Sequence, residues 1–245
     1  MPRDTETPRT RSAEISRILR DEILSGQYRP GERLPSERDL SDRFGASRSA
    51  VREALKALDQ LGLASIQRGG ARAKPVESCT LDVLGPLLDL YDVPDPKLVD
   101  EVLHLFGVLL DTAARASIEK ATPDQIAQAL TLIDDLLAAP PCDMRRHEGL
   151  RNLAEFFVDV SDHLVLRLMI NGLRTSFLAR MHALGIRPRL DSEQQTVQIQ
   201  LLRQAVLECN PTAVGTSMRN LNRLFRNSAR EALAEASSSR RRKSA

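Results

Sequence analysis

Apolar residues in the first 75 positions come in short bursts of helical spacing, separated by turn signals. Ile15, Ile18, Leu19 and Ile23 fall on one face of a helix that begins near Ser12 and stops at Ser25-Gly26. Pro30-Gly31 marks a turn. Ser36, with Asp39 three positions on, predicts the start of a second, short helix, because side chains at that spacing satisfy each other's exposed backbone N–H groups. That helix ends at Phe44, where Gly45 is free to adopt the left-handed backbone that closes a helix, and Ser47 caps a third. In the third, Val51, Leu55 and Leu58 share one side, while Arg48, Arg52 and Lys56 recur every fourth residue along another. After Leu63 the pattern changes. The stretch "ASIQRGGARAKPV", residues 64–76, has short alternating segments about Gly69-Gly70 and predicts a β-hairpin.

Beyond residue 80 the helical period returns and no strand pattern competes with it. Seven segments are predicted, at 80–92, 96–118, 122–138, 143–160, 162–185, 191–209 and 211–236. Pro94-Asp95-Pro96, Thr122-Pro123, Pro140-Pro141, Pro188 and Asn210-Pro211 separate them, since proline cannot continue a helix. The expected fold is mainly α. Residues 1–11 form a mobile arm, 12–76 a winged helix-turn-helix with a small β-hairpin wing, and 77–80 a linker. Residues 81–236 form an all-helical bundle of about six to seven helices, and 237–245 a disordered basic tail.

Charge separates the two parts. Residues 1–75 carry 15 Lys and Arg against 11 Asp and Glu, residues 76–239 carry 16 against 22, and the last six residues add 4 basic groups. The polyanion-binding surface therefore belongs to the first part, with Arg3, Arg9 and Arg11 of the arm within reach of phosphate. The three cysteines, Cys79, Cys142 and Cys209, are far apart and read as reduced thiols. No apolar run reaches the ~18 residues of a membrane span, so the chain is expected to be cytoplasmic. No hydrolase, metalloprotease, P-loop or dinucleotide motif occurs, so it is not expected to be an enzyme.

Two short helices joined by a tight glycine-containing turn make a helix-turn-helix, whose second helix enters the DNA major groove with its N-terminal residues at the base edges. The basic stripe from Arg48 lies at that end. Arg68, Arg72 and Lys74 lie beside the hairpin tip, where a wing meets the sugar-phosphate backbone or minor groove. A basic stripe on an exposed helix is often no more than solvated charge, and Arg43 and Lys56 are read either way.

These residues carry a resemblance. "ILSGQYRPGERLPSERDLSDRFGASRSAVREALKALDQLGLASIQRGGA", residues 23–71, resembles the DNA-binding domain of the GntR family of bacterial transcription regulators. The resemblance implies that Arg38, Arg48 and Arg52 contact DNA, that Ser47 and Ser49 assist at the helix N-terminus, and that Arg68 and Gly69 form the tip of the wing. Arginine suits this role because its fork pairs with O6 and N7 of guanine.

The helical remainder resembles the ligand-sensing domain of the FadR subfamily, through its length, its helix count and marks such as "LECNPTAVGTSM", residues 207–218. Many of its members hold a metal through one Asp and three His. Here the corresponding positions are Arg151, Glu155, Ile199 and Leu221, and no histidine follows His182, so no metal or other cofactor is expected. An unorthodox site from Asp143, His147 and His163 is the alternative. A metal-free apolar cavity suits a fatty acid or acyl-CoA, and "RLMINGLRTSF", residues 167–177, resembles the fatty-acid-responsive branch. Phe156, Phe157, Phe177, Leu221 and Phe225 are candidates for its lining and Arg174 for an acidic head group, with ordinary core packing the competing reading of each. The sequence thus predicts a homodimeric, ligand-responsive regulator that binds a short inverted repeat in double-stranded DNA. A regulator responding to a small carboxylate or other metabolite, and a DNA-binding protein with no ligand, are the alternatives.

Overall fold

The structure, a computed structural model, describes residues 10–140, 144–183 and 192–243, with the side chains of 144, 175–183, 192 and 239–243 excepted. The chain divides into two compact units, Met1–Asp92 and Val93–Ala245.

The first unit opens with helix α1, Arg11–Leu24, capped by Thr10, and α2, Glu37–Phe44, capped by Ser36. At α2 the reciprocal Ser36–Asp39 capping box forms as predicted. Gly45 takes φ 56°, ψ 40° to end α2, and Ser47 caps α3, Arg48–Gln60, by accepting from the Ala50 N–H at 3.2 Å. Strands β1, Ala64–Gln67, and β2, Gly70–Ala73, pair antiparallel with Ala64 opposite Ala73 and Gln67 opposite Gly70. The turn is therefore Arg68-Gly69, one residue earlier than the glycine pair itself suggests.

Residues 31–34, read from sequence only as part of a turn, run alongside β2. The Gly31 N–H donates to the Ala73 carbonyl (2.8 Å), the Ala73 N–H to Glu32 (2.9 Å) and the Leu34 N–H to Ala71 (2.9 Å). This ties the loop before α2 to the wing. Ile15, Leu19, Leu34, Leu40, Val51, Leu58 and Leu63, each 2% exposed or less, form the core on which the three helices close. Burying each of these side chains is worth about 1.5–3 kcal/mol.

Two boundaries differ from expectation. Arg11 is helical and not part of an arm; its guanidinium pairs with Glu14 at 2.6 Å and donates to the Phe44 carbonyl, joining α1 to the end of α2. Arg3 and Arg9 lie outside the described residues. Residues 81–92, expected to open the helical domain, group with the first unit. Val83 is buried in its core, Leu87 packs on that core, and the Thr80 N–H donates to Leu61 at 3.0 Å. This segment holds two short 3-10 turns, Val76–Ser78 and Leu81–Val83, and α4, Leu84–Asp89.

The second unit is helical throughout its described residues: α5 Pro96–Lys120, α6 Pro123–Ala138, α7 Met144–Val160, α8 Leu164–Ala183, α9 Ser192–Leu207 and α10 Pro211–Lys243. Three of the proline separators turn out to be start signals. Asp95, Thr122 and Asn210 each cap the helix whose first residue is the following proline, where its missing N–H costs nothing. The basic tail expected to be disordered from residue 237 is instead the last part of α10, which continues without a break to Lys243. Serine and arginine are compatible with helix, and no glycine or proline interrupts the run.

Helices α5 and α10 pack along each other; α9 packs on α10 and α6, and α7 on α5 and α6. The α5–α10 approach is close: a Cβ on Gly107 would lie 2.3 Å from Asn222 Oδ1. Ion pairs lock the same seam. Asp100 accepts from Arg226 and from Arg230, each at 2.7 Å, and Asp111 accepts from Arg115 at 2.9 Å and Arg219 at 2.5 Å. Among the described residues no helix is long and apolar enough to cross a membrane.

Candidate nucleic-acid interface

Burying Val51, Ala54, Leu55 and Leu58 against the core leaves the opposite side of α3 to solvent. On it Ser47, Arg48, Ser49 and Arg52 are all exposed. Arg48 and Ser49 make no hydrogen bond or ion pair to another described residue through their side chains. Two features favour an anion at this end of the helix: the positive end of the backbone dipole and N–H groups not yet used within the helix.

Arg52 is held differently. Its Nε sits 2.8 and 2.9 Å from the two carboxylate oxygens of Glu37, the first residue of α2. The pair is at the surface, with the Arg52 side chain 64% exposed, so its guanidinium is oriented without being withdrawn. The carboxylate raises the Arg52 pKa further above its ordinary value, first through this hydrogen bond and then through charge. Nothing in local spacing announces Glu37, which lies 15 residues earlier in the chain; only the fold brings the starts of α2 and α3 together.

Arg38, next on α2, is exposed and its Nε approaches Asp39 only to 3.9 Å. Arg43, which sequence left undecided, is a structural residue: it binds the Glu22 carboxylate through both terminal nitrogens and lies 4.7 Å from the Phe44 ring centroid. Lys56 pairs with Glu53 on its own helix at 2.9 Å.

At the wing, Arg68 and Gly69 form the exposed tip, with Gly69 at φ 104°. Arg33 donates to the Gly69 carbonyl, a contact with no local sequence signal, so the tip is braced from the loop before α2. Arg72 does not reach the tip; it donates to the Gly31 carbonyl at 2.9 Å and fastens the base of the hairpin. The first unit thus presents five exposed groups of the predicted set on α3 and α2, and two on the wing. Its arrangement can bind phosphate at the α3 N-terminus and donate to base edges from the arginines.

Known proteins are similar to this chain in sequence and in fold. Residues 11–72 match the family described as "Bacterial regulatory proteins, gntR family". The HTH-type transcriptional regulator Mce2R of Mycobacterium tuberculosis is 31% identical over 183 residues, which span 73% of this chain and 75% of that one. The chain belongs to the gntR family. It is therefore a transcription regulator of a DNA-binding family. The chain is also similar to the fatty acid metabolism regulator protein of Pectobacterium carotovorum, 29% identical over 168 residues, or 64% of this chain and 65% of the relative. In fold, the chain is similar to Lar, which controls the expression of the Listeria monocytogenes agr system, with a TM-score of 0.50 at 12% identity over 90% of this chain and 96% of that one.

The residues named for an effector are less united than those named for DNA. Phe157 is wholly buried and meets half-buried Phe156 edge-on, with ring centroids 5.8 Å apart, as core residues do. Leu221 is buried and Phe225 half-buried on α10. Arg174 pairs with Glu155 and donates to Asn171 at 3.4 Å. The Phe177 side chain lies outside the described residues. A cleft of about 270 Å³ between α9 and α10 is lined by Glu193, Gln194, Val197, Gln198, Asn220, Arg223 and Leu224, none of them on that list.

The alternative metal set does not assemble either. Asp143 lies outside the described residues; His147 is in the first turn of α7, about 20 Å along the helix from its last residue, Val160, and His163 lies beyond that end. His163 serves α8 instead, its Nδ1 accepting from the Leu166 N–H at 3.4 Å. Of the family metal positions, Glu155 is taken by Arg174 and Ile199 is fully buried.

Proposed function

We propose that the protein acts in the cytoplasm as a homodimeric, ligand-responsive regulator. Its two winged helices bind the half-sites of a short inverted repeat, and its helical unit senses a lipid-like effector, a fatty acid or acyl-CoA. The observation that carries the DNA half of the reading is the exposed Arg48–Arg52 face of α3, unpartnered at Arg48 and oriented by Glu37 at Arg52. Arg38, Ser47 and Ser49 flank it, and Arg68 and Gly69 reach the minor groove. Relatives that are fatty acid metabolism regulators support the lipid half. Binding of the effector alters the spacing of the two DNA-binding units, and with it the affinity for the operator.

The test begins with a duplex selected from a random pool by the full-length protein. Sedimentation is expected to give two chains per duplex, and a long-chain acyl-CoA or fatty acid to change the affinity. Release by small carboxylates alone would favour a metabolite sensor. No response to any acid or acyl-CoA would favour a DNA-binding protein without a ligand.

A further inference from the structure

Helices α9 and α10 pack on each other and are joined only by residues 208–210, so they run antiparallel, and positions equally far from the turn come level. Val197 and Gln198 are thus level with Asn220, and Gln194 with Leu224, one residue past Arg223. Along this stretch the two helices leave the cleft of about 270 Å³ that these residues line together with Glu193. Pockets for drug-sized molecules hold roughly 300–1,000 Å³, so a ligand that fits here is smaller than that.

Three polar side chains of the cleft are unused. Gln198, Asn220 and Arg223 make no side-chain hydrogen bond or ion pair to another described residue. The Gln198 Oε1 atom is also shut off from solvent, an unfavourable state for an acceptor without a donor. A turn about the soft last torsion of that side chain presents the oxygen to the cleft. Arg223 stands out on its own helix. Arg219, Arg226 and Arg230 each hold a carboxylate of α5, whereas Arg223 holds none, and it does not pair with Glu193 although both line the cleft. A free guanidinium on one wall, a carboxylate on the other and an acceptor lacking its donor suit a molecule that carries both charges. Val197, 47% exposed, and the half-buried Leu224 offer it an apolar surface.

We propose that the α9–α10 cleft binds a small α-amino acid with an apolar side chain, a second ligand distinct from the lipid-like effector. Arg223 and the Asn220 amide donate to its carboxylate. Its ammonium group donates to Gln198 Oε1 in the field of Glu193, and its side chain lies on Val197 and Leu224. Because the ligand bridges two helices that meet in this way only in the folded chain, its binding stabilises the helical unit.

The experiment titrates the full-length protein with L-leucine, L-valine and L-methionine, by calorimetry and thermal shift. Two analogues of leucine accompany them: 4-methylpentanoate, which lacks the ammonium group, and 3-methylbutylamine, which lacks the carboxylate. Leucine is expected to bind and raise the melting temperature, and each analogue to bind at least about tenfold more weakly, as the loss of one charge-assisted hydrogen bond requires. Arg223→Gln removes a side chain bonded to nothing, so the melting temperature of the unliganded protein is expected to stay while leucine weakens by at least about tenfold. Gln198→Leu removes the unmatched acceptor and is expected to raise the unliganded melting temperature while weakening leucine likewise, a combination that a purely structural glutamine does not produce. An analogue bound as tightly as leucine, leucine binding untouched by Arg223→Gln, or binding of none of the three amino acids would overturn the proposal. A long-chain acyl-CoA, titrated separately against operator binding, is expected to act equally on wild type and Arg223→Gln, so the amino-acid site and the lipid reading can each fail alone.

Discussion

Arg48 and Arg52 occupy one helix face yet are expected to respond differently to truncation, because only Arg52 has a carboxylate beside it. Removing either arginine from a base contact is expected to weaken binding of the selected operator by roughly 5- to 150-fold. For Arg48→Ala the loss ends there. Arg52→Ala also strips Glu37 of the cation lying 2.8 Å from it and leaves an uncompensated negative charge at the start of α2, facing a polyanion. At ~4 Å in bulk water a unit charge pair is worth about 1 kcal/mol, or about a fivefold further loss. Adding Glu37→Gln to Arg52→Ala is therefore expected to recover about fivefold, whereas adding it to Arg48→Ala, with Arg52 present, sacrifices the orientation of Arg52 and recovers nothing. Fluorescence anisotropy on the selected operator and on random duplex, across a salt series, measures all four variants and wild type alike. Each lost arginine is expected to reduce the salt slope by about one, and base preference is expected to relax. Equal losses on operator and random duplex for Arg52→Ala, or no recovery in the double variant, would refute the assignment of Arg52 as a base reader oriented by Glu37.

Two further predictions concern the α5–α10 seam. Gly107→Ala places a methyl 2.3 Å from Asn222 Oδ1 and is expected to destabilise the protein by about 1–3 kcal/mol in urea unfolding. In an Asn222→Ala background, which removes Oδ1 and Cγ but leaves a Cβ at 3.2 Å, most of this cost is expected to disappear; an undiminished cost there would show that the Asn222 carboxamide is not what excludes the side chain. Arg226 and Arg230 hold the Asp100 carboxyl down at about 2. Because the folded value lies below the unfolded one, the stabilisation is complete above about pH 5 and disappears as pH falls through 2. Asp100→Asn is expected to lower the denaturant midpoint, by roughly 1–2 kcal/mol in free energy, at pH 6 and to converge with wild type near pH 2; a constant difference down to pH 2 would contradict it.

The sequence by itself determined the elements of this protein and the kind of chemistry in its first unit. Capping signals such as Ser36 with Asp39, Gly45 and Ser47 act over three or four residues, so their meaning survives without tertiary context. The basic stripe of α3 was legible for the same reason: 3.6 residues per turn places Arg48 and Arg52 together wherever that helix is put. Tertiary structure decided what long-range contacts control. It brought Glu37 to Arg52, Arg33 to the wing tip and Arg43 to Glu22, pairs separated by 15, 36 and 21 positions. It also assigned residues 81–92 to the first unit through the burial of Val83, and placed Phe157 in a core. In the helical unit, periodicity marks which positions face inward but not which of them meet. Only packing, which sets distance between residues far apart in the chain, brings Arg146 to Thr196, 50 positions away, and Asp100 to Arg226, 126 away.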